Sequence, residues 1–171
     1  MVDSKNRKIE LIEANPREHA KIFDNLLNLY FYDFAEILRY DIGADGSYLD
    51  APYSWGDQGE TVYLLYVDTL PSGFAIIGLG SRIDDRPDVW DMHEFFVIRR
   101  HRRSGLGSWL ATEIWRKHPG TWDVRVVKPN TGALSFWTGT VNAAARRNIS
   151  PKPYTYADSG NEIFYFRFDT A

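Results

Sequence analysis

The chain contains no cysteine, which excludes disulfide bonds and metal sites built from thiolates. The absence of cysteine suits a reducing compartment, and we expect a cytoplasmic protein. No run of about 18 apolar residues is present to span a membrane, and residues 1–8 lack the apolar centre of a signal peptide. The net charge of −3 argues against a nucleic-acid partner, because domains that bind nucleic acids broadly are usually strongly basic.

Side chains that can build a core are abundant. The 171 residues are 44% hydrophobic and 15% aromatic, which is enough for one substantial core. We therefore expect a single domain over residues 1–171. The four histidines show no spacing typical of paired metal ligands, so no metal site is expected.

Hydrophobic periodicity predicts the order of helices and strands. After Asn15, a cap residue with Glu18 as its capping-box partner, apolar side chains recur at helical steps to about Tyr40. They predict one long helix or two consecutive helices, and further helices begin near Ser104 and after Asn130. The order is therefore β-α-(α)-β-β-β-α-β-α-β-β, with residues 68–73 as a hairpin connection. The strand segments are 8–14, 62–67, 74–83, 89–98, 122–127, 151–156 and 163–168.

The segment 95–110 joins an apolar strand to an amphipathic helix through a basic turn that contains Gly105 and Gly107. Amide groups at a helix start lack intrahelical acceptors, and the helix dipole favours negative charge there. Glycine also lets a bulky diphosphate approach the backbone closely. The pattern therefore predicts a turn that binds phosphate groups.

Two common phosphate-binding patterns do not fit this turn. A Walker loop needs Gly, four residues and then Gly-Lys-Ser/Thr, a run that the sequence lacks. A dinucleotide fingerprint needs a third glycine, but Trp109 and Leu110 occupy the region where it should fall. NTP hydrolysis and nicotinamide binding are both disfavoured.

The hexapeptide from Arg102 to Gly107 resembles the Arg/Gln-x-x-Gly-x-Gly/Ala signature that holds the pyrophosphate of coenzyme A in the GNAT superfamily of N-acetyltransferases. It follows the fourth predicted strand, as in that family. Downstream, Asn130 to Trp137 is similar to the family's Asn-x-x-Ala-x-x-aromatic/Leu-Tyr element, with Trp137 in place of tyrosine. The resemblance spans essentially the whole chain and is nearest to a little-described acetyltransferase subgroup.

This resemblance implies an α/β (α+β) fold. A mixed, largely antiparallel central sheet of about seven strands would be flanked by about four helices. It also implies an acyltransferase that uses acetyl-CoA (coenzyme A) and moves the acetyl group directly to an amine of a small molecule or peptide. Relatives often dimerise, so a homodimer is one expected state.

The resemblance assigns functional residues as well. Glu94, on the strand before the turn, is the candidate general base, although an ordinary sheet glutamate or an ion-pair partner fits equally well. His93 would face the opposite side of that strand. The backbone N–H of Val97 is the expected oxyanion donor. The expected cofactor-binding residues are Val97, Arg102, Arg103, Ser104, Gly105, Leu106, Gly107, Ser108, Asn130 and Trp137.

Trp137 leaves a second function open, because an indole N–H cannot protonate the thiolate leaving group. The alternative is a non-catalytic acyl-CoA-binding sensor or interaction module. Tyr154, Tyr156, Tyr165 or water could supply the proton, although sheet packing explains each tyrosine equally well. A nucleic-acid contact protein that uses the arginine cluster ranks below both.

The resemblance implies an amine acceptor between the first helical region, the strands beyond it and the last two strands. Aromatic residues are frequent there, and they either surround the acceptor or complete the core, the role we favour for each one. These residues are Tyr30, Phe31, Tyr32, Tyr48, Tyr53 and Trp55.

Overall fold

The computed structural model describes residues 7–55 and 59–170, whose seven strands form one sheet. In chain order the elements are β1 (Ile9–Glu13), α1 (Pro16–Leu38), β2 (Thr61–Val67), β3 (Leu70–Leu79), β4 (Trp90–Val97), α2 (Leu106–Lys117), β5 (Gly120–Val127), α3 (Thr131–Ala145), β6 (Lys152–Thr155) and β7 (Glu162–Thr170). The strand order is β1-β2-β3-β4-β5-β7-β6. Strands β4 and β5 run parallel, whereas β1–β2, β5–β7 and β6–β7 are antiparallel. The predicted mixed, largely antiparallel sheet is confirmed.

The helix count differs from the prediction. The described residues contain three α-helices and a one-turn 3-10 helix at Arg99–His101, rather than about four helices. The first helical region is a single helix of 23 residues, because neither proline nor glycine interrupts it after its first turn.

The start of α1 differs in one detail from the predicted capping box. The Asn15 side chain accepts from the N–H of Arg17 at 2.9 Å, so the cap itself is confirmed. The N–H of Asn15 donates to Nδ1 of His19 at 3.0 Å, and His19 therefore takes the place that was expected for Glu18. The helix ends at Leu38, and its C-cap residue Arg39 has a left-handed φ of 59°.

The described residues divide into two compact units. The first contains the residues up to Ile76 together with Glu94–Gly107, and the second contains Ile77–His93 and the residues from Ser108 onward. Strands β3 and β4 contribute residues to both. A single domain over residues 1–171 stays a prediction beside this division.

The core of the first unit lies between α1 and strands β2, β3 and β4. Phe23 is fully buried, and its ring lies 5.0 Å from Phe74 in an edge-to-face contact. Tyr53 and Trp55 pack edge-on against Phe23 at 4.9 and 5.2 Å, so both aromatic residues complete this core. The buried members are Phe23, Leu26, Leu27, Tyr30, Val62, Leu64, Phe74, Ile76 and Phe96.

Strand β3 begins four residues earlier than predicted. The turn before it has only two residues, Asp68 and Thr69, with φ values of 50° and 71°, which is typical of a type I′ hairpin. Gly73, predicted to lie in the turn, is inside β3. A Cβ atom there would lie 2.3 Å from the carbonyl oxygen of Phe96 on β4, so glycine permits a close approach of two backbones.

The second unit has an apolar face and a charged face on its strands. Trp115 of α2 packs against Phe168 at 5.0 Å between ring centroids. Asp91 and Asp123, both fully buried, face the other way, and each accepts hydrogen bonds from an arginine, Arg125 and Arg167 respectively. These carboxylates raise the pKa of both guanidinium groups, so two buried charges are paired inside the unit.

Candidate active site

The basic turn between β4 and α2 is exposed and has an unusual backbone. The 3-10 helix ends at His101, and α2 begins at Leu106, two residues later than predicted. Arg103 and Gly105 both adopt left-handed φ values, 58° and 84°. A Cβ atom at Gly105 would meet nothing within 4 Å, so this side of the turn is open to a ligand.

The amide groups of the turn are placed to bind an anion. The N–H of His101 donates to Ile98 O at 3.0 Å, and the N–H of Arg102 donates to Arg99 O at 3.2 Å. In the described part of the chain, the turn hydrogen bonds of this segment end there. The first amides of α2 have no intrahelical acceptor, and left-handed residues between extended or helical ones form anion-binding concavities. Residues 103–107 therefore carry the candidate amides for an external acceptor.

The side chain of Arg102 is bound by the protein itself. Its Nε donates to Val97 O at 2.7 Å, its NH2 donates to Asp33 on α1, and its guanidinium lies 5.4 Å from the Phe96 ring centroid. Arg99 forms a second salt bridge to Asp33 at 2.7 Å. The arginine of the signature therefore shapes the turn, and its expected contact with a ligand is through the backbone.

Two further side chains hold the same turn from within. Ser104 Oγ donates to His101 O at 2.7 Å. His101 is only 8% exposed, and its Nδ1 accepts from Arg7 NH1 at 3.0 Å. The Ser104 hydroxyl is thus committed to the local structure. Sequence reasoning missed Arg7 and Asp33, and no local spacing could have identified them.

Glu94 lies on β4, on the strand face that meets α1. Its carboxylate accepts a hydrogen bond from the hydroxyl of Tyr30, a side chain that is only 7% exposed. Phe96, two residues along the same face, belongs to the core. His93 faces the other way, as predicted, with Nε2 at 3.8 Å from Asp91 Oδ1. The candidate base is therefore half-buried, and a buried phenol orients it.

The backbone direction at the end of β4 can be read from one hydrogen bond. The N–H of Ile98 donates to Ser72 O at 3.0 Å, towards β3. Successive amides of a strand alternate in direction, so the N–H of Val97 points away from β3. The described register of β4 with β5 runs from Trp90 to Met92, five residues short of Val97. The N–H of Val97 therefore points away from β3, and Val97 lies beyond the described register of β4 with β5.

The remaining predicted cofactor residues lie in the second unit. Asn130 caps α3, because its Oδ1 accepts from the N–H of Ala133 at 3.0 Å. Trp137 is buried, and its ring lies 6.2 Å from that of Trp115. Ser108 Oγ lies 2.9 Å from Thr140 Oγ1. All three side chains have structural contacts, and their contact with a cofactor stays a prediction.

The described residues also bear on metal sites and membrane spans. No set of three or more His, Asp or Glu side chains is arranged to hold a metal ion in residues 7–55 and 59–170. None of the helices in those ranges has the length and hydropathy that a bilayer span requires.

Comparison with known proteins identifies a family. The model of the acetyltransferase (GNAT) family matches residues 21–139. An acetyltransferase from Thermus thermophilus is similar in structure, with a TM-score of 0.68 and 14% identity, over 95% of this chain and 97% of that chain. The structure of yncA from Salmonella typhimurium with its cofactor acetyl-CoA has a TM-score of 0.61 at 13% identity, over 94% and 93%. An N-acetyltransferase from Staphylococcus aureus has a TM-score of 0.58 at 13% identity, over 95% and 98%.

At these identities the structural likeness shows a shared fold. No relative is found among curated proteins. The family model spans more than half of the chain, including most of α1, and all of β4, the basic turn and α2. The chain therefore belongs to the acetyltransferase (GNAT) family.

Proposed function

We propose that this protein is an acetyl-CoA-dependent N-acetyltransferase that moves an acetyl group directly to an amine of a small molecule or peptide. One observation carries the proposal. An exposed turn with left-handed residues at Arg103 and Gly105 leads into the start of α2, inside the segment that matches the family model. Such a turn suits a diphosphate, the central anionic group of coenzyme A.

The amides of residues 103–107 would hold the diphosphate, and the left-handed backbone at Gly105 leaves room for its approach. Ser108, Asn130 and Trp137 are proposed as further contacts along the cofactor. The yncA structure, which is described with acetyl-CoA, supports this choice of ligand. When bound, acetyl-CoA supplies an acetyl group that is activated as a thioester.

Glu94 is proposed as the general base. An alkylamine such as that of lysine, with a pKa of about 10.4, is protonated at neutral pH and must lose a proton before it attacks. The Glu94 carboxylate can accept that proton directly or through water. Tyr30 donates to this carboxylate, which fixes its orientation.

The N–H of Val97 is proposed to donate to the acetyl oxygen as negative charge develops on it. Losing a preorganised donor of this kind typically costs about 3 kcal/mol of barrier. Because the donor is a backbone group, Val97→Ala should leave turnover nearly unchanged. Strand geometry, and not the valine side chain, carries this role.

The thiolate leaving group is proposed to take its proton from water. At pH 7, expelling a thiol with a pKa of about 8.5 in its unprotonated form costs about 2 kcal/mol, which an enzyme tolerates. Trp137 is buried and has no acidic proton to give. Tyr156 accepts from Arg125 NH1 at 3.1 Å and packs against Tyr154 at 5.2 Å, so both tyrosines have structural contacts.

Two measurements test the proposed function in sequence. Calorimetric titration must first show that the protein binds acetyl-CoA. Thiol release with a panel of amines then separates an enzyme from the non-catalytic sensor, because binding without turnover across a broad panel would favour the sensor.

A pair of variants tests the base. Glu94→Gln should leave acetyl-CoA affinity unchanged and lower turnover about 10²-fold or more, the usual contribution of a general base. The control is Glu60→Gln, because Glu60 also accepts a hydrogen bond from a tyrosine, Tyr53, away from β4. Equal turnover of wild type and Glu94→Gln at all pH values would remove Glu94 from this role.

A further inference from the structure

We propose that Asp33 on α1 is the positioning residue of the cofactor turn. This inference rests on the proposed function, since it assigns to Asp33 the task of holding the diphosphate-binding amides in place. The Asp33 side chain is only 15% exposed. Its two oxygens are divided between two arginines that are 66 and 69 residues away in the sequence.

The contacts of Asp33 with Arg99 and Arg102 hold both ends of the 3-10 helix, and we call these three residues the clamp. Asp33 Oδ1 accepts from Arg99 Nε at 2.9 Å and lies 2.7 Å from Arg99 NH2, so two nitrogens of Arg99 meet one carboxylate oxygen. Asp33 Oδ2 accepts from Arg102 NH2. Arg102 also donates from Nε to Val97 O. One carboxylate thereby ties α1 to the turn and, through Arg102, to the last residue of β4.

The turn needs such a clamp for two reasons. Its backbone is strained, because Arg103 has a left-handed φ of 58°, a conformation that costs a non-glycine residue free energy and persists only where its surroundings impose it. It is also crowded with like charges, because four of the five residues 99–103 are arginines. Without the Asp33 carboxylate, Arg99 and Arg102 would repel each other directly before the strained residue.

The same face of α1 also reaches the base. Tyr30 lies three residues before Asp33, which is one turn of helix, and donates to Glu94. Tyr30 therefore orients the Glu94 carboxylate, and Asp33 orients the amides of the turn. Because the first group acts in the reaction and the second in cofactor binding, changes at Tyr30 should affect kcat, and changes at Asp33 should affect the KM for acetyl-CoA.

Asp33→Asn tests the proposal, because it keeps the size of the side chain and removes its charge. We expect the Kd and the KM for acetyl-CoA to rise about tenfold, equivalent to about 1.4 kcal/mol, with kcat kept within about twofold. In the ligand-free protein, amide hydrogen exchange of His101 and Arg102, the hydrogen-bonded amides of the turn, should accelerate, with exchange in the β5–β7 ladder unchanged. Asp33→Glu, which restores the charge, should recover most of the affinity.

Glu36→Gln is the matched control. Asp33 is the main cause of the raised pKa of Arg99, and Glu36, exposed one turn further along α1, adds to it through charge alone, without a hydrogen bond to Arg99 within the described residues. An equal loss of affinity in Glu36→Gln would assign the effect to net charge and overturn the proposal. Unchanged affinity and unchanged exchange in Asp33→Asn would also overturn it.

Arg99→Gln guards against misfolding of Asp33→Asn. Arg99 is largely exposed, and its replacement removes one arm of the clamp, so we expect a smaller rise in Kd and faster exchange in the turn. Unchanged exchange there would count against the clamp. If the wild-type protein itself fails to bind acetyl-CoA, the proposed function is wrong, and the ligand-free exchange comparison still decides whether Asp33 holds the turn.

Discussion

Replacement of Gly105 by glutamate tests the cofactor turn with little expected damage to the fold. A Cβ atom at Gly105 would meet nothing within 4 Å, so a side chain there projects away from the protein. The left-handed φ of 84° strains any residue other than glycine by about 1–2 kcal/mol. That strain is present with and without ligand, so it lowers the free energy of unfolding more than it lowers affinity.

The loss of affinity comes from charge. Two like unit charges about 4 Å apart near a protein surface repel by about 4 kcal/mol, which corresponds to about 10³-fold weaker binding. Calorimetric titration with CoA at low and high salt measures this effect, which should shrink as ionic strength rises. The control is Gly105→Ala, which shares the strain and lacks the charge, and we expect it to bind within about tenfold of wild type. CoA affinity of Gly105→Glu within about threefold of wild type would refute the proposal that this turn binds the diphosphate.

Three further predictions concern the base, the sheet and the charged face. Tyr30→Phe removes the donor that orients Glu94 and should lower kcat about tenfold, with CoA affinity kept; an unchanged kcat would contradict this role. Gly73→Ala places a Cβ atom 2.3 Å from a neighbouring carbonyl and should lower the free energy of unfolding in a denaturant titration by about 3 kcal/mol; an unchanged midpoint would contradict the close approach. The Arg167 guanidinium lowers the pKa of Asp84 from 3.8 to about 2, so this carboxylate stabilises the fold above its unfolded pKa and loses the effect as the pH falls towards 2. Because Asp84 is exposed, Asp84→Asn should cost below about 1 kcal/mol near pH 5 and only a small part of that near pH 2, and an equal cost at both pH values would argue against the pair.

Much of the fold could be predicted because its signals are local. The apolar stripe of α1 and the cap at Asn15 depend on residues within a few positions of each other, and both are confirmed. Gly73 shows the limit of such signals. A glycine inside a strand and a glycine in a turn look alike in one sequence, and only the carbonyl of a distant strand distinguishes them.

The candidate site also combines features with local sequence signals and features that depend on distant residues. The glycine turn before α2 could be predicted, since strand, turn and helix follow each other in the chain. The partners that orient its groups could not. Asp33 lies 66 residues before Arg99, and Tyr30 lies 64 residues before Glu94, so tertiary packing brings each pair together. The sequence pattern predicts the turn and the candidate base, and the structure adds the helix whose side chains contact both.

A crystal structure of the protein with CoA tests the central claim most directly. The account predicts diphosphate oxygens within about 3.2 Å of backbone nitrogens among residues 103–107, at the start of α2. CoA bound elsewhere, with those amides turned away from it and hydrogen-bonded to the protein, would contradict the account.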